Sequence, residues 1–454
     1  MSIFSSLRRE QKEAIGLLQI GTFLEYFDLM LYVHMAVLLN ELFFPKADPH
    51  TAALLSAFAF CSTYILRPFG ALLFGYIGDN IGRKTTVIIT TMMMAVSCLI
   101  MANLPTYSQI GISAAWIITL CRIVQGLSTM GEVIGAEIYL TEITKPPARY
   151  PIVASTSIST ALGFVVALGI ATLVTNNNLN WRIVFWIGSV IAVIGSVART
   201  RLRETPEFVD MKKRMQKALE ESRYYGLESA ANILKRTNIA WKEKISVKTG
   251  LAYFFIQCGW PVSFYFIYIY CSNILKNDFG LTPEQVIHHN LMVSLIDFLG
   301  FGIFTILSIK IYPLIILKLK ASIVLFISLC FPYIMPFIKN SSELMMLQWV
   351  FIFFTLTYIP AGAILYNYFP VYKRFTFSSL TYATAQAIMY VTTAFGLVYL
   401  TESFGHYGLW FIMIPISLGF LWGVFHFESL EKQFADQPPR SDHPFSMKPL
   451  VSIE

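Results

Sequence analysis

Between two long apolar runs lies a charged turn, Gly75-Tyr-Ile-Gly-Asp-Asn-Ile-Gly-Arg-Lys84. Gly75 and Gly78 leave one helix face without side chains, which allows a neighbouring backbone to approach closely. Asp79 and Arg83 can pair with charges or helix ends of a second helical bundle, and such pairs can break when two bundles rock against each other. The pattern G-x-x-G-D-x-x-G-R-K therefore predicts a loop at the end of a membrane helix that makes and breaks contacts between bundles.

The composition is that of a membrane protein. The 454 residues are 56% hydrophobic and 13% charged, whereas soluble domains carry about 25% charged residues, and the mean hydropathy is +0.59. Apolar segments of about 18 to 28 residues are long enough to cross roughly 30 Å of hydrocarbon as helices. We predict an all-α membrane protein with twelve transmembrane helices in two six-helix halves. The predicted spans are about 15–40, 52–77, 85–103, 108–141, 152–175, 182–200, 249–274, 286–309, 312–337, 343–369, 376–400 and 407–427.

The distribution of Lys and Arg predicts the orientation of these spans. With both termini in the cytoplasm, 28 of the 34 basic residues fall in cytoplasmic segments, and the outside loops hold three. This assignment counts Arg199, Lys320 and Arg374 among the cytoplasmic charges. The net charge of +7 follows from this topology and indicates no nucleic-acid partner.

The chain divides into four parts. We predict a first six-helix bundle over 1–200 and a second over 249–427. Between them, 201–248 is rich in Lys, Arg and Glu, which predicts a cytoplasmic linker with surface helices on the membrane face. A short cytoplasmic tail follows at 428–454. The second bundle does not repeat the charged turn in full, because 308–320 contains neither Asp nor a Gly-Arg pair.

The charged turn resembles the signature loop of the major facilitator superfamily, whose members move small solutes across membranes by alternating access. Other stretches resemble the metabolite:proton symporter branch of that superfamily, which includes proline/betaine, 2-oxoglutarate, citrate and shikimate carriers. These stretches are Gly21-Thr-Phe-Leu-Glu-Tyr-Phe-Asp28, Arg67-Pro-Phe-Gly70, Arg122-Ile-Val-Gln-Gly126, Tyr139-Leu-Thr-Glu142 and Glu204-Thr-Pro-Glu-Phe208.

The resemblance carries expectations about location, partners and cofactors. It implies a multi-pass protein of the bacterial inner membrane that takes up a small solute together with a proton. The expected partners are the solute, the proton and the lipid bilayer, and the protein is expected to work as a monomer. No cofactor is expected, since the proton serves as the coupling ion.

Charged residues around the turn complete a predicted gate. Glu142 ends the fourth span near Arg83, one turn before Lys145, and we predict that it is a partner of the loop. Arg67 precedes Pro68 towards the cytoplasmic end of the second span, which favours gating or helix pairing over contact with solute. The predicted gate consists of Gly75, Asp79, Gly82, Arg83, Lys84, Glu142 and Arg67.

Acidic residues inside the spans are candidates for proton coupling, because an unpaired charge in hydrocarbon is costly and is seldom kept without a function. Glu25 and Asp28 lie three residues apart and share one face of the first helix. Two carboxylates so close compete for one proton, which suits proton coupling. The alternative is a solvated or structural position at the cytoplasmic interface. Glu132, which follows Gly131 in the fourth span, is the third candidate.

Arg122 lies about a third of the way into the fourth span from the outside. Its guanidinium can clamp a solute carboxylate through two parallel hydrogen bonds, or it can pair with Glu25, Asp28 or Glu132. Both arrangements fit one carrier, because the solute can replace the internal partner. Asp297 is the acidic residue of the eighth span, and we predict that it lines the cavity from the second half.

An enzyme and a metal site are not predicted. The seven histidines and six cysteines show no metal-ligand spacing, and the chain has no Ser/His/Asp set or phosphate loop. We predict a secondary active transporter for proton-coupled symport of a small polar organic solute, either a proline- or betaine-type zwitterion or a small carboxylate. A solute exchanger or a uniporter of the same fold is the main alternative. A transporter-like sensor ranks below these, because neither the linker nor the tail is large enough for a signalling domain.

Overall fold

The computed structural model describes residues 7–44, 64–176, 180–213, 216 and 245–435. Within these ranges a few side chains, those of Glu25 and Glu132 among them, lie outside the description. The residues that are described form helices joined by turns, and no strand occurs among them. This agrees with the predicted all-α class.

Six long helices make up the described part of the first half. A single helical turn, Tyr107–Ile110, precedes the fourth of them. The six helices are α1 (Arg9–Phe43), α2 (Arg67–Asn80), α3 (Arg83–Asn103), α4 (Ile112–Ile143), α5 (Arg149–Asn176) and α6 (Arg182–Arg199).

The second half begins with α7 (Val247–Asn277), which contains a π-helical stretch at Tyr265–Tyr270. A second π-helical stretch, Thr392–Gly396, joins two helices near the end of the chain. The helices after α7 are α8 (Pro283–Leu307), α9 (Pro313–Ile334), α10 (Ser341–Phe353), α11 (Gly362–Asn367), α12 (Val371–Val391), α13 (Leu397–Phe404) and α14 (Trp410–Ala435).

Local sequence explains where α8 begins. The Thr282 hydroxyl accepts a hydrogen bond from the Gln285 backbone N–H at 3.3 Å, and the Gln285 side chain accepts one from the Thr282 N–H at 2.9 Å. This capping box satisfies amides that lack partners inside the helix. Pro283, at the first helical position, has no N–H to satisfy and its backbone angle suits a helix.

Length and composition make seven of the described helical segments capable of crossing a membrane. Their outer surface is apolar, since Trp116, Phe326 and Phe337 are 71%, 67% and 78% exposed. The predicted count of twelve spans and the cytoplasmic position of both termini stay predictions. The first part of the second predicted span, most of the linker and the end of the tail lie outside the described residues.

Helix pairs hold each half together and join the halves. In the first half, α1 packs along α5 and α3 along α6. Between the halves, α2 packs along α12 and α5 along α8. The four-part division of the chain predicted from the sequence stays a prediction.

Three basic residues assigned to the cytoplasmic segments are buried in the protein. Arg199, Lys320 and Arg374 are each no more than 2% exposed. Arg199 donates to the carbonyls of Leu17 and Leu18, at 3.0 and 3.2 Å. Lys320 lies seven residues inside α9, roughly 10 Å from its first residue. The cytoplasmic assignment of Lys320 stays a prediction, but its side chain lies inside the protein. Counting charges along the chain does not show which way a side chain points.

The predicted tenth span, 343–369, is not one helix. After α10 ends at Phe353, residues 354–361 are non-helical and α11 begins at Gly362. Pro360 explains the break, because its ring clashes with the preceding turn of a helix and it has no backbone N–H to donate. The eleventh span also differs, since α12 begins at Val371 and not near 376.

The contact between α1 and α5 leaves no space for a methyl group at Gly163. A Cβ atom there would lie 2.6 Å from the Phe23 carbonyl oxygen and 2.9 Å from the Phe27 nitrogen, and neither can move without shifting α1. We expect Gly163→Ala to lower the free energy of unfolding by about 1–3 kcal/mol, measured as a lower melting temperature of the purified protein.

Gly169→Ala on the same helix is the matched control, because a Cβ atom there meets nothing within 4 Å. Alanine favours a helix over glycine by about 1 kcal/mol, so this variant should melt at the same temperature or higher. An unchanged melting temperature for Gly163→Ala would contradict the close contact.

Candidate functional site

A buried ion pair joins α1 to α4 inside the first half. Arg122 Nη1 lies 3.1 Å from Asp28 Oδ2, and both side chains are buried. Gln125 accepts a hydrogen bond from the same guanidinium at 2.8 Å, and the Cys98 thiol of α3 donates to the other Asp28 oxygen at 3.6 Å. Arg122 is ten residues into α4, about 15 Å from its start, so the pair lies near mid-membrane depth. Among the three acidic residues predicted as possible partners of Arg122, the structure shows an ion pair with Asp28.

Glu25 and Glu132 lie on the same two helices as this pair. Their backbones belong to α1 and α4, and their side chains are outside the described part of the chain. Glu25 precedes Asp28 by three residues, which places the two on one helix face. Their participation in proton coupling stays a prediction.

Asp297 lies in the second half, on α8. Near it is Lys320, a basic residue that was not among the site residues predicted from the sequence. The Asp297 Oδ2 atom is buried and has no hydrogen-bond partner among the described residues. The Lys320 ammonium of α9 is the charge that acts on this carboxylate. Lys320 itself donates to the Thr357 hydroxyl at 2.7 Å and to the Ile359 carbonyl at 3.3 Å. Lys320 lies well inside the apolar run that forms α9, and this position was the signal in the sequence that could have identified it.

The charged turn holds the start of α12 through Asp79. Its carboxylate accepts hydrogen bonds from the backbone N–H groups of Phe375 and Thr376, at 3.2 and 2.8 Å. The Thr376 hydroxyl adds a third bond at 2.7 Å. Arg83 Nη1 lies 3.2 Å from the same carboxylate. Asp79 therefore joins its own turn to the second half.

Glycines make this approach possible. A Cβ atom on Gly75 would lie 2.7 Å from the Thr376 Cα, and one on Gly78 would lie 2.7 Å from the Phe375 ring. Gly82 has a φ of +154°, a backbone conformation that residues with side chains rarely adopt. These positions explain why the turn needs glycine at fixed spacing.

Glu142 is shared by two arginines, one from each half. Its Oε1 lies 3.3 Å from Arg83 Nη2 and 3.1 Å from Arg374 Nη1. Its Oε2 accepts a hydrogen bond from the Thr205 hydroxyl at 2.6 Å. Arg83 also donates to the carbonyl of Val371 at 2.6 Å. The structure thus places Glu142 in contact with the charged turn and with the second half at once.

The start of the linker takes part in the same network. Glu204 accepts a hydrogen bond from the Arg83 backbone N–H at 3.0 Å and one from that of Lys84 at 3.3 Å, which caps α3. Glu207 lies 2.8 Å from Arg374. Sequence reasoning did not select Glu204, Thr205 or Glu207 as site residues, although the motif at 204–208 contained all three.

Arg67 joins α2 to α12 deeper in the protein. Its Nη1 donates to the Gln386 side chain at 2.5 Å, and its guanidinium lies 4.4 Å from the centre of the Tyr64 ring. The structure does not bring Arg67 to the Asp79–Glu142 network. Both readings of Arg67, gate and helix pairing, are compatible with this position.

Long apolar helices with buried charges between them and an ionic network across one end are typical of a membrane transporter. The chain belongs to the Major Facilitator Superfamily, whose sequence model matches residues 18–392. This confirms the predicted family and fold class. The protein is a multi-pass transporter of the bacterial inner membrane and not an enzyme.

Two bacterial relatives resemble part of the chain. The chain is 34% identical over 204 residues to the Proline/betaine transporter of Salmonella typhimurium, a match covering 43% of this chain and 41% of the relative. It is 34% identical over 202 residues to the Inner membrane metabolite transport protein YhjE of Escherichia coli, covering 43% and 46%. The matches thus span less than half the length of these relatives.

Solved structures match along nearly the whole chain. The proton:xylose symporter XylE has a TM-score of 0.71 at 16% identity, over 92% of this chain and 95% of that one. The human organic anion transporter MFSD10 has a TM-score of 0.65 at 15% identity, over 93% and 100%. At these identities the likeness shows the fold alone.

Removing the charge of Asp79 should slow transport more than it weakens solute binding. Asp79→Asn loses an ion pair and weakens bonds to Phe375 and Thr376, which hold the two halves together at the charged turn. Because a hydrogen bond to a charged group contributes about 1.5–3 kcal/mol, we expect the transport rate to fall about tenfold or more. The measurement compares initial uptake into proteoliposomes with equilibrium binding of the same solute.

Asp278→Asn, a change in an exposed outer turn, is the control and should alter neither quantity. Equal loss of binding and rate in Asp79→Asn would contradict a gating function, because it would indicate a misfolded protein.

Proposed function

We propose that this transporter performs proton-coupled symport of a small organic solute that carries a carboxylate. The buried Arg122–Asp28 pair carries this proposal, because it holds a guanidinium inside the first half with a partner that can be exchanged. The solute class is a zwitterion of the proline or betaine type or a small carboxylate. The names of the bacterial relatives, proline/betaine and metabolite transporters, support this class. Proton coupling is supported by the proton:xylose symporter XylE, which has the same fold.

In the first step, a proton neutralises an acidic group beside Arg122. The candidate acceptors are Asp28, Glu25 and Glu132. Neutral Asp28 no longer compensates the guanidinium, so Arg122 becomes available to a solute carboxylate through two parallel hydrogen bonds. Gln125 accepts from the same guanidinium and keeps it oriented while its partners exchange.

In the second step, no charge in the site is uncompensated once solute and proton are both bound. This lowers the barrier to closing the outer side. The network around Asp79 and Glu142 then breaks and the inside opens. The proton leaves to the higher pH of the cytoplasm, and the Arg122–Asp28 pair forms again and helps displace the solute.

Aromatic side chains from both halves favour a zwitterion within the proposed class. Trp260 of α7 and Phe164 of α5 stack with ring centroids 6.2 Å apart, and Phe264 lies 6.0 Å from Trp260. Trp260 and Phe164 lie near the middle of their helices. Aromatic faces at this depth suit a quaternary ammonium group such as that of betaine.

A solute exchanger or a uniporter is the alternative within the fold, and a sensor that binds without transport is the third reading. Uptake into proteoliposomes separates them. Labelled proline, glycine betaine, 2-oxoglutarate, citrate and shikimate are each offered with an inward proton gradient, with and without a protonophore. Symport requires accumulation of one solute that collapses with the protonophore. Influx that needs internal solute and ignores the gradient would establish exchange, and binding without influx would establish a sensor.

Variants of the buried pair test the assigned residues. We expect Arg122→Ala to reduce uptake at least about a hundredfold, since a buried charged partner contributes about 3–5 kcal/mol when the other charge is left behind. Asp28→Asn should leave some influx of solute but remove its response to the protonophore. Arg9→Ala, at an arginine whose side chain is 92% exposed, is the control. Undiminished uptake by Arg122→Ala would refute the assignment of Arg122.

A further inference from the structure

One buried carboxyl group joins the two halves through hydroxyl donors. Glu137 of α4 is 2% exposed. It accepts hydrogen bonds from the Tyr358 hydroxyl at 2.8 and 2.9 Å and from the Tyr366 hydroxyl at 2.5 Å. Thr156 of α5 adds a donor at 3.1 Å. Because both tyrosines belong to the second half, a single carboxyl group of the first half holds two side chains of the other.

The break between α10 and α11 presents Tyr358 to the first half. Tyr358 lies in the non-helical segment 354–361, and backbone of this kind occurs within membranes where it is buried in protein or lines a cavity. Lys320 fixes the segment from α9, since it donates to the Thr357 side chain and the Ile359 carbonyl, on both sides of Tyr358. A buried lysine thus positions the residue that reaches across the interface.

Phenol groups make up the titratable surroundings of Glu137 in the second half. Tyr253 of α7 lies against Tyr366, with ring centroids 6.2 Å apart, and is close enough for a charge on Glu137 to act on its phenol. Tyr382 of α12 lies close to Tyr358, as does Tyr26 of α1 in the first half, and the hydroxyls of these two tyrosines are 3.4 Å apart. These groups are neutral near physiological pH and supply no charge to balance a carboxylate.

Charged groups on the neighbouring elements are already engaged with each other. Glu142 lies five residues further along α4, about 7.5 Å towards the cytoplasm, and is paired with Arg83 and Arg374. Glu132 lies five residues in the other direction, and its side chain is outside the description. Within the described part of the chain, Glu137 therefore has hydroxyl partners and no ion pair.

We propose that Glu137, Tyr358 and Tyr366 form a latch between the halves, the Glu137 latch, which opens when Glu137 takes up a proton. The proposal rests on the proton-coupled symport proposed above and adds a proton-binding residue to it. This residue is separate from the Arg122–Asp28 pair, since it lies 15 residues further along α4, about 22 Å away.

Charge controls the strength of the latch. An ionised carboxylate accepts hydrogen bonds that are roughly twice as strong as those to a neutral group. Protonation removes the charge and turns one acceptor oxygen into a donor, so the two tyrosines hold the neutral acid less tightly. A proton that arrives while the cytoplasmic ends are closed thus allows the halves to part on the inside. When the inside is open, Glu137 faces the cytoplasm and releases its proton. The carboxylate anion then binds the two tyrosines again.

Hydrogen–deuterium exchange in lipid nanodiscs tests the latch without any solute. We expect Glu137→Gln, which resembles the protonated acid, to speed exchange of the 354–367 segment about tenfold at alkaline pH. The Tyr358→Phe/Tyr366→Phe double variant should do the same by removing the donors. Glu402→Gln and Tyr399→Phe, at exposed positions of α13, are the matched controls and should exchange as the wild type does.

The ratio of variant to wild-type exchange at two pH values tests the protonation step, because the intrinsic pH dependence of exchange cancels in the ratio. For Glu137→Gln the ratio should be large at alkaline pH and approach one at acidic pH, where the wild-type carboxyl group is itself protonated. A ratio that does not change with pH, or an unchanged exchange rate at alkaline pH, would overturn the proposal. If Glu137→Gln does not fold, the tyrosine double variant provides the same two comparisons.

Proton-driven uptake separates this proposal from the proposed function. In Glu137→Gln, accumulation driven by a proton gradient should fall by a larger factor than counterflow of the same labelled solute. If uptake by the wild type does not respond to a protonophore, symport is refuted. The ratio of hydrogen–deuterium exchange rates still decides whether the latch exists. If the wild type responds and Glu137→Gln responds equally, the Glu137 proposal is refuted alone.

Discussion

The need to compensate every charge buried in the membrane governs this structure. An isolated charge in hydrocarbon costs several kcal/mol, so each buried charge must find an ionic or hydrogen-bonding partner in the folded chain. The first half meets this need by pairing Asp28 with Arg122, and the network around the charged turn meets it by sharing Glu142 between two arginines. The same need makes these groups useful for transport, because a partner can be exchanged for a solute, a proton or water but cannot simply be lost.

The connections between the halves differ in chemistry with depth. At the charged turn, Asp79 and Arg83 bind backbone groups of α12, and the partners are charges or helix ends that water can replace when the halves separate. Five residues nearer the middle of α4 than Glu142, the buried Glu137 binds hydroxyl groups, and its burial keeps water away from them. A connection at the end therefore responds to the movement of the halves, whereas a deeper one responds to the charge of its own carboxyl group.

The break in the tenth predicted span links these features. A continuous helix would satisfy its own backbone, whereas the non-helical segment at 354–361 needs outside partners, and Lys320 supplies one by donating to Ile359. Asp297, a residue for which the sequence predicted a place along the cavity, is the acidic group whose charge acts on Lys320. Discontinuous helices of transporters commonly lie at the interface between repeats, and this one presents Tyr358 there.

Much of the fold could be predicted from the chain alone. Apolar segments of membrane-spanning length predicted the all-α class, and the charged turn with Gly75, Asp79 and Arg83 predicted a contact with a neighbouring bundle. Glu142 could be selected because it ends its span close to Arg83. Pro360 was a visible reason for a helix break, but hydropathy is averaged over a window and conceals a gap of a few residues.

The spacing of the charges along each helix can be worked out from the sequence alone, because each residue advances a helix by the same rise. Only the tertiary structure decided the partner of each charge, because partners come from distant segments: Glu137 and Tyr366 are 229 residues apart, and Arg83 and Val371 are 288 apart. The burial of Lys320 and Arg199 likewise depended on the direction in which each helix faces. That direction is set by packing against other helices, which the local sequence does not contain.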